Sequence, residues 1–120
     1  MKSKAVVLAL GFLLVGCATL RDIGKPNWAP YGSVEYPPKA KDAVVDIYDT
    51  QMPKVLYIEI GHISKETTDD QQTAMKDVLV RAREKGADGI IFKGHKFIRR
   101  GDRMAVNWYM IDAVAIKYKE

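Results

Sequence analysis

Thr67 to Phe92 runs TTDDQQTAMKDVLVRAREKGADGIIF, a helix pattern that passes through glycine into a strand pattern. Gln71, Ala74, Met75, Val78, Leu79 and Ala82 recur at helical spacing and form one stripe, while Lys76, Arg81, Arg83 and Lys85 fall on the side expected to face water. Thr68 with Gln71 three residues later has the form of a capping box, and Asp69 and Asp70 complement the positive end of the helix dipole. Gly86 suits the left-handed residue that closes a helix, with Arg83 and Lys85 favourably placed in the last turn. A single apolar stripe calls for one covering layer, and the flanking sequence offers strands.

Working outward, Ala43-Val44-Val45-Asp46-Ile47-Tyr48 is rich in β-branched residues and ends in the turn-like Asp49 to Pro53. Val55 to Ile63 alternates, with Leu56, Ile58 and Ile60 on one side and Tyr57 and Glu59 on the other. Beyond the helix, Ile90-Ile91-Phe92 and Met104 to Lys117 read as two more strands, joined through Arg100-Gly101-Asp102 as a hairpin. Neither side of the last run is uniformly apolar, which predicts a bulge or break near Tyr109. The expected domain, residues 42–120, is therefore α+β: a small ββαββ unit, mostly antiparallel, with one helix packed on one face of the sheet.

Residues 17–41 hold Pro26, Pro30, Pro37 and Pro38 with no sustained apolar period, and read as a tether. Trp28, Tyr31 and Tyr36 interrupt it, either to meet a membrane interface or partner groove or to fold back on the domain. Further upstream, Lys2 and Lys4 precede the apolar run Ala5 to Val15, which at 11 residues is too short to span a bilayer and fits a signal peptide over residues 1–16.

That run ends in Leu14-Val15-Gly16-Cys17, which resembles a bacterial lipobox, and Cys17 is the only cysteine in the chain. The resemblance implies cleavage before Cys17, a diacylglyceryl thioether on its sulfur and a further acyl group such as palmitate on its amine. Each buried methylene contributes about 0.8 kcal/mol, so two or three acyl chains anchor a protein without spanning the membrane. Ala18 after the cysteine points to the outer membrane, facing the periplasm. Loss of Lys2 and Lys4 takes 19 basic residues to 17 against 15 acidic, a net charge of +2 that argues against nucleic acid as a partner.

Catalytic and cofactor signatures are missing from the sequence. His62 and His95 lack a second ligand or orienting carboxylate at short spacing, so neither a metal site nor acid–base catalysis is expected. Asp69 with Asp70 is accounted for by helix capping, and Asp46 with Asp49 by turn chemistry. No nucleophile triad, phosphate-cradling loop or dinucleotide fingerprint occurs, so no cofactor and no enzymatic activity are expected. Arg100-Gly101-Asp102 is explained by turn geometry rather than adhesion.

The chemistry that stands out is positive charge on the hairpin. Lys93, His95, Lys96, Arg99, Arg100 and Arg103 fall close together around Phe97 and Ile98, with Asp102 the one acid among them. Strict alternation would set Lys93, His95, Phe97 and Arg99 on one side and Lys96, Ile98 and Arg100 on the other. Lys93, Lys96, Arg99, Arg100 and Arg103 are the candidate anion-binding residues, suited to phosphates or carboxylates on an envelope protein, glycan or lipid. A solvated hairpin whose charges protect a sheet edge is the competing account.

The order of elements, with Ile58-Glu59-Ile60-Gly61 before the helix and Ala82 through Ile91 after it, resembles the small domain of YbjQ-like proteins and of the Rcs stress-sensor lipoprotein, over residues 43–118. The resemblance implies a helix on one face of a sheet, a tether below the outer membrane and no catalysis. This chain lacks the cysteines that staple the sensor's domain, so the likeness carries fold and placement only. The expectation is a non-enzymatic envelope lipoprotein that binds an envelope component through the basic hairpin. The alternative is a structural subunit that self-associates through its sheet edges, with Trp108 and Tyr109 contributing.

Overall fold

The computed structural model describes residues 24–101 and 106–119. Strands β1 (Asn27–Pro30), β2 (Asp46–Tyr48) and β3 (Tyr57–Thr67) precede helix α1 (Gln71–Glu84), and β4 (Gly89–Arg100) and β5 (Asn107–Tyr118) follow it. All five strands form one sheet in the order β1-β3-β5-β4-β2. β1 with β3, β3 with β5 and β4 with β5 are antiparallel, whereas β2 lies parallel to β4.

This corrects the expected four-stranded ββαββ domain in two respects. First, the proline-rich stretch contributes a strand: Trp28 registers with Ile63 and Pro30 with Gly61. A strand on the sheet margin needs backbone donors on one side only, so Pro30, which has no N–H, is tolerated there. Second, the sheet is mixed, because the expected first strand pairs parallel to β4. Only Asp46, Ile47 and Tyr48 pair, against Gly89, Ile90 and Ile91, at the opposite margin from β1.

The helix-facing side of the sheet carries the larger core. Ala74, Val78 and Ala82 of α1 are fully buried against Ile63, Ile90, Ile111, Ala113 and Ala115, with Met75, Leu79 and Phe92 packed around them. Two alanines of the helix meet two of the sheet at this layer, so the helix approaches closely while the isoleucines fill the remaining space. Burying each large aliphatic side chain contributes roughly 1.5–3 kcal/mol. The other side of the sheet holds a smaller cluster, in which Ile91, Val114 and Ile116 lie beneath Tyr48, Tyr57 and Tyr118.

Asp70, rather than Thr68, caps α1, its Oδ1 accepting from the Thr73 amide at 2.8 Å. Thr67 Oγ1 instead takes the Asp69 amide at 2.9 Å, so the expected box shifts by two residues. At the other end Gly86 stands at φ +76°, and the amides of Gly86 and Ala87 return to the carbonyls of Arg83 and Ala82 at 3.1 and 3.0 Å. This is a Schellman closure, and it requires glycine for its left-handed residue. Arg81, expected in water, is buried, with its guanidinium 3.1 Å from Glu84.

The stretch expected as tether is strapped to this end of the helix. Pro37 O and Tyr36 Cβ lie 2.5 and 2.8 Å from where a Cβ on Gly86 would stand. The Lys39 amide donates to Arg83 O at 2.8 Å, and Arg83 Nε donates to Ala43 O at 2.7 Å. Trp28 lies across Gly61, whose added Cβ would come within 2.3 Å of the indole. Trp28 and Tyr36 thus fold back on the domain, while Tyr31 stays exposed.

Candidate functional site: the basic edge of strand β4

Because β2 stops at Tyr48, it covers only Gly89 to Ile91 of β4, and among the described residues no strand lies beside the outer edge of β4 from Phe92 to Arg100. Its inner edge is paired along its length with β5, with register shifts between Phe92 and Gly94 and between Phe97 and Arg99. The second shift lies opposite Trp108 and Tyr109, and the extra residue is on β4 rather than on β5.

These bulges reassign the sides expected from simple alternation. Phe92, His95 and Phe97 register with Ala113, Ile111 and Tyr109, and so lie on the helix side. Lys96 and Arg99 register with Met110 and Trp108, the parity of Val114, and lie together on the helix-free side. Arg99 therefore shares a side with Lys96 and not with Phe97, because the extra residue at Ile98 reverses the pleat. It stacks its guanidinium 5.2 Å from the Trp108 ring centre and reaches Glu66 of β3 at 3.3 Å.

Lys93, Lys96 and Arg100 are exposed, and among the described residues no carboxylate pairs with any of them. Arg103 and Cys17 lie outside the described residues. Phe97 is 59% exposed and Ile98 37%, so the free edge mixes apolar and cationic surface. His95, which the sequence left without a partner, stacks on Tyr109 at 4.5 Å and 18° and sets Nε2 3.1 Å from Asp69 O. Phe97 meets the same tyrosine edge-on at 6.1 Å. These contacts brace the arm against the loop that leads into α1.

Beside the root of the free edge lies a groove of about 390 Å³, lined by the apolar side chains of Ile47, Met75, Leu79 and Phe92 and by Asp49, Gln71, Gln72 and Lys76. Sequence periodicity missed it. Periodicity puts Met75 and Leu79 in the buried stripe, whereas both are only partly buried and line this groove.

Two polar clusters at the far end of the sheet also escaped sequence reading. Tyr118 Oη donates to Asp46 Oδ2 at 2.5 Å and stands 2.6 Å from Tyr48 Oη, so Tyr48 supplies the second proton. Burial, followed by the hydrogen bond to Asp46, raises the Tyr118 phenol well above its ordinary value. Asp88 accepts from Lys39 Nζ and, at 2.8 Å, from the Tyr118 amide, with Lys117 at 3.5 Å. Burial pushes its carboxyl up, but the Lys39 and Tyr118 hydrogen bonds outweigh this and hold it below the usual carboxylate value. Their partners are fully used within the fold, so both clusters act as fasteners of β2 and β5. His62 Nε2 lies 3.0 Å from Asp112 Oδ1 on the helix-free side. Among the described residues no group of three or more histidine, cysteine or carboxylate side chains converges as a metal site.

No protein-family profile and no curated protein matches the chain. Among solved structures, the chain is similar to the crystal structure of a Francisella virulence factor, FvfA, in an orthorhombic form. The TM-score is 0.54 and the identity 17%, over 76% of this chain and 96% of that one. At that identity the likeness is one of fold, and it places the sheet and helix described above among experimentally observed architectures.

Proposed function

We propose that this chain is a lipid-anchored bacterial envelope protein, non-enzymatic, that binds an anionic envelope component along the basic edge of β4. One observation carries the reading: Lys93, Lys96 and Arg100 stand exposed on a strand edge that is open from Phe92 onward, without carboxylate partners among the described residues. Charges kept only to prevent aggregation need no exposed aromatic beside them, yet Phe97 is set among these. The address rests on the lipobox-like Leu14 to Cys17, and an outer-membrane position facing the periplasm is part of the proposal. The resemblance to the YbjQ-like and Rcs-sensor domain has no support from the comparisons, and the reading does not depend on it. Edge-to-edge self-association would bring like charges together, which disfavours the structural-subunit alternative.

Photo-crosslinking from Phe97 in living cells tests the contact. The expected result is a discrete adduct that disappears when Arg99, Arg100 and Arg103 are reversed to glutamate. An adduct unchanged by those reversals would show that the basic edge is not the contact. Membrane partitioning of a Cys17→Ser protein tests the anchor, which is wrong if that protein still sediments with membranes.

A further inference from the structure

We infer that the anionic component is an acidic, extended polypeptide segment that adds to the sheet as a sixth strand along the outer edge of β4. The inference rests on the binding reading above and narrows it to one chemistry. Three observations meet at the same place. Among the described residues no strand pairs with the outer backbone of β4 beyond Ile91, which leaves amide and carbonyl groups there to bond a new strand. Side chains of an added strand would alternate between the two sides of the sheet, and the two sides of β4 differ. Phe92, His95 and Phe97 lie on the helix side, with Arg100 beyond them at the far end, and Lys96 and Arg99 lie on the other. The groove lined by Ile47, Met75, Leu79 and Phe92, with Asp49 at its edge, lies where β2 ends, so a strand continuing along β4 would set an apolar helix-side residue near that opening.

The fitting occupant therefore alternates apolar and acidic residues: apolar side chains toward Phe92, Phe97 and the groove, carboxylates toward Lys96 and Arg99. Cross-strand pairs of opposite charge and of aromatic with aliphatic are each favourable, whereas a second copy would present the same cations. A lipid or glycan phosphate could meet the lysines and arginines, but it would leave both the backbone edge and the groove unused.

The test uses the full chain in mild detergent and a fluorescein-labelled, terminally blocked (Glu-Val)4 peptide, with binding read by anisotropy. The expected result is saturable binding that weakens at least tenfold when Lys96→Glu and Arg99→Glu are combined, and at least tenfold when Met75→Glu places a charge in the groove. A peptide N-methylated at alternate residues, which cannot complete the ladder, is expected not to bind. Equal binding of the N-methylated peptide would overturn strand addition while leaving an anion-binding edge intact. No saturable binding of (Glu-Val)4 up to millimolar concentration would also overturn it. So would charge-dependent binding to phosphatidylglycerol vesicles in place of the peptide, or a dimer that the same charge reversals dissociate. The in-cell adduct from Phe97 reads the parent proposal independently, so the two failures are separable.

Discussion

Asp88 brings together the strap, β5 and the turn after α1, through Lys39, the Tyr118 amide and Lys117. Its carboxyl is held below the ordinary aspartate value of 3.8 in the folded chain, so its contribution to stability is fully present above that value. It is lost as pH falls through the lower folded value. An Asp88→Asn variant is therefore expected to be less stable at neutral pH and to show a shallower loss of urea-unfolding midpoint below pH 4. Tyr118 has the opposite sign: its folded phenol is raised above 10.0, so the contribution persists below pH 10 and declines at higher pH. Tyr118→Phe, which removes the bonds to Asp46 and Tyr48, should cost about 1 kcal/mol at pH 7. It should also flatten the fall in stability above pH 10, followed by circular dichroism. Neither residue was legible as a partner in the sequence, since Asp46 lies 72 positions from Tyr118 and no local pattern records that pairing.

At the scale of elements, α1, β3 and the β4–β5 hairpin were legible because each carries a local period and a stop signal. Gly86 closes the helix as its sequence position implied, and Arg100-Gly101 leads into the hairpin connection. β1 was hidden because prolines and a polar composition describe a tether and a sheet margin equally well. The partner of β2 is not legible, because three residues cannot reveal whether they pair with the next strand or with one 43 positions away. The sides of β4 were misassigned beyond Phe97 because one extra residue reverses a period of two. What attaches β1 is the indole of Trp28 lying flat on Gly61, a contact that tolerates no Cβ. Gly61→Ala should displace the ring and cost about 2 kcal/mol. Trp28→Ala should itself destabilise by roughly 3 kcal/mol. The double variant should cost clearly less than the sum, because both changes break one contact, and urea unfolding of the four proteins measures that coupling. Additive costs would mean that β1 is held by its backbone pairing instead.

For the whole molecule, packing of the strap changes how far the domain can reach from its proposed anchor. If all of residues 18–41 were free, the contour would exceed 70 Å at about 3.3 Å per residue. With β1 beginning at Asn27 and Lys25 paired to Glu84 at 2.8 Å, an anchor at Cys17 would be separated from the folded domain by at most eight residue steps. They extend to about 27 Å. A domain anchored so close would sample the membrane at high effective concentration, and lengthening the linker separates two kinds of target. Inserting 20 Gly/Ser residues between Thr19 and Leu20 should lower contact with any fixed feature of that membrane by about sixfold, since effective concentration falls as roughly the −3/2 power of linker length. It should leave capture of a diffusing acidic polypeptide unchanged. The measurement is the Phe97 crosslink yield with and without the insertion. The strand-addition reading expects a polypeptide adduct of constant yield, and a sixfold fall would place the target of the basic edge on the membrane surface.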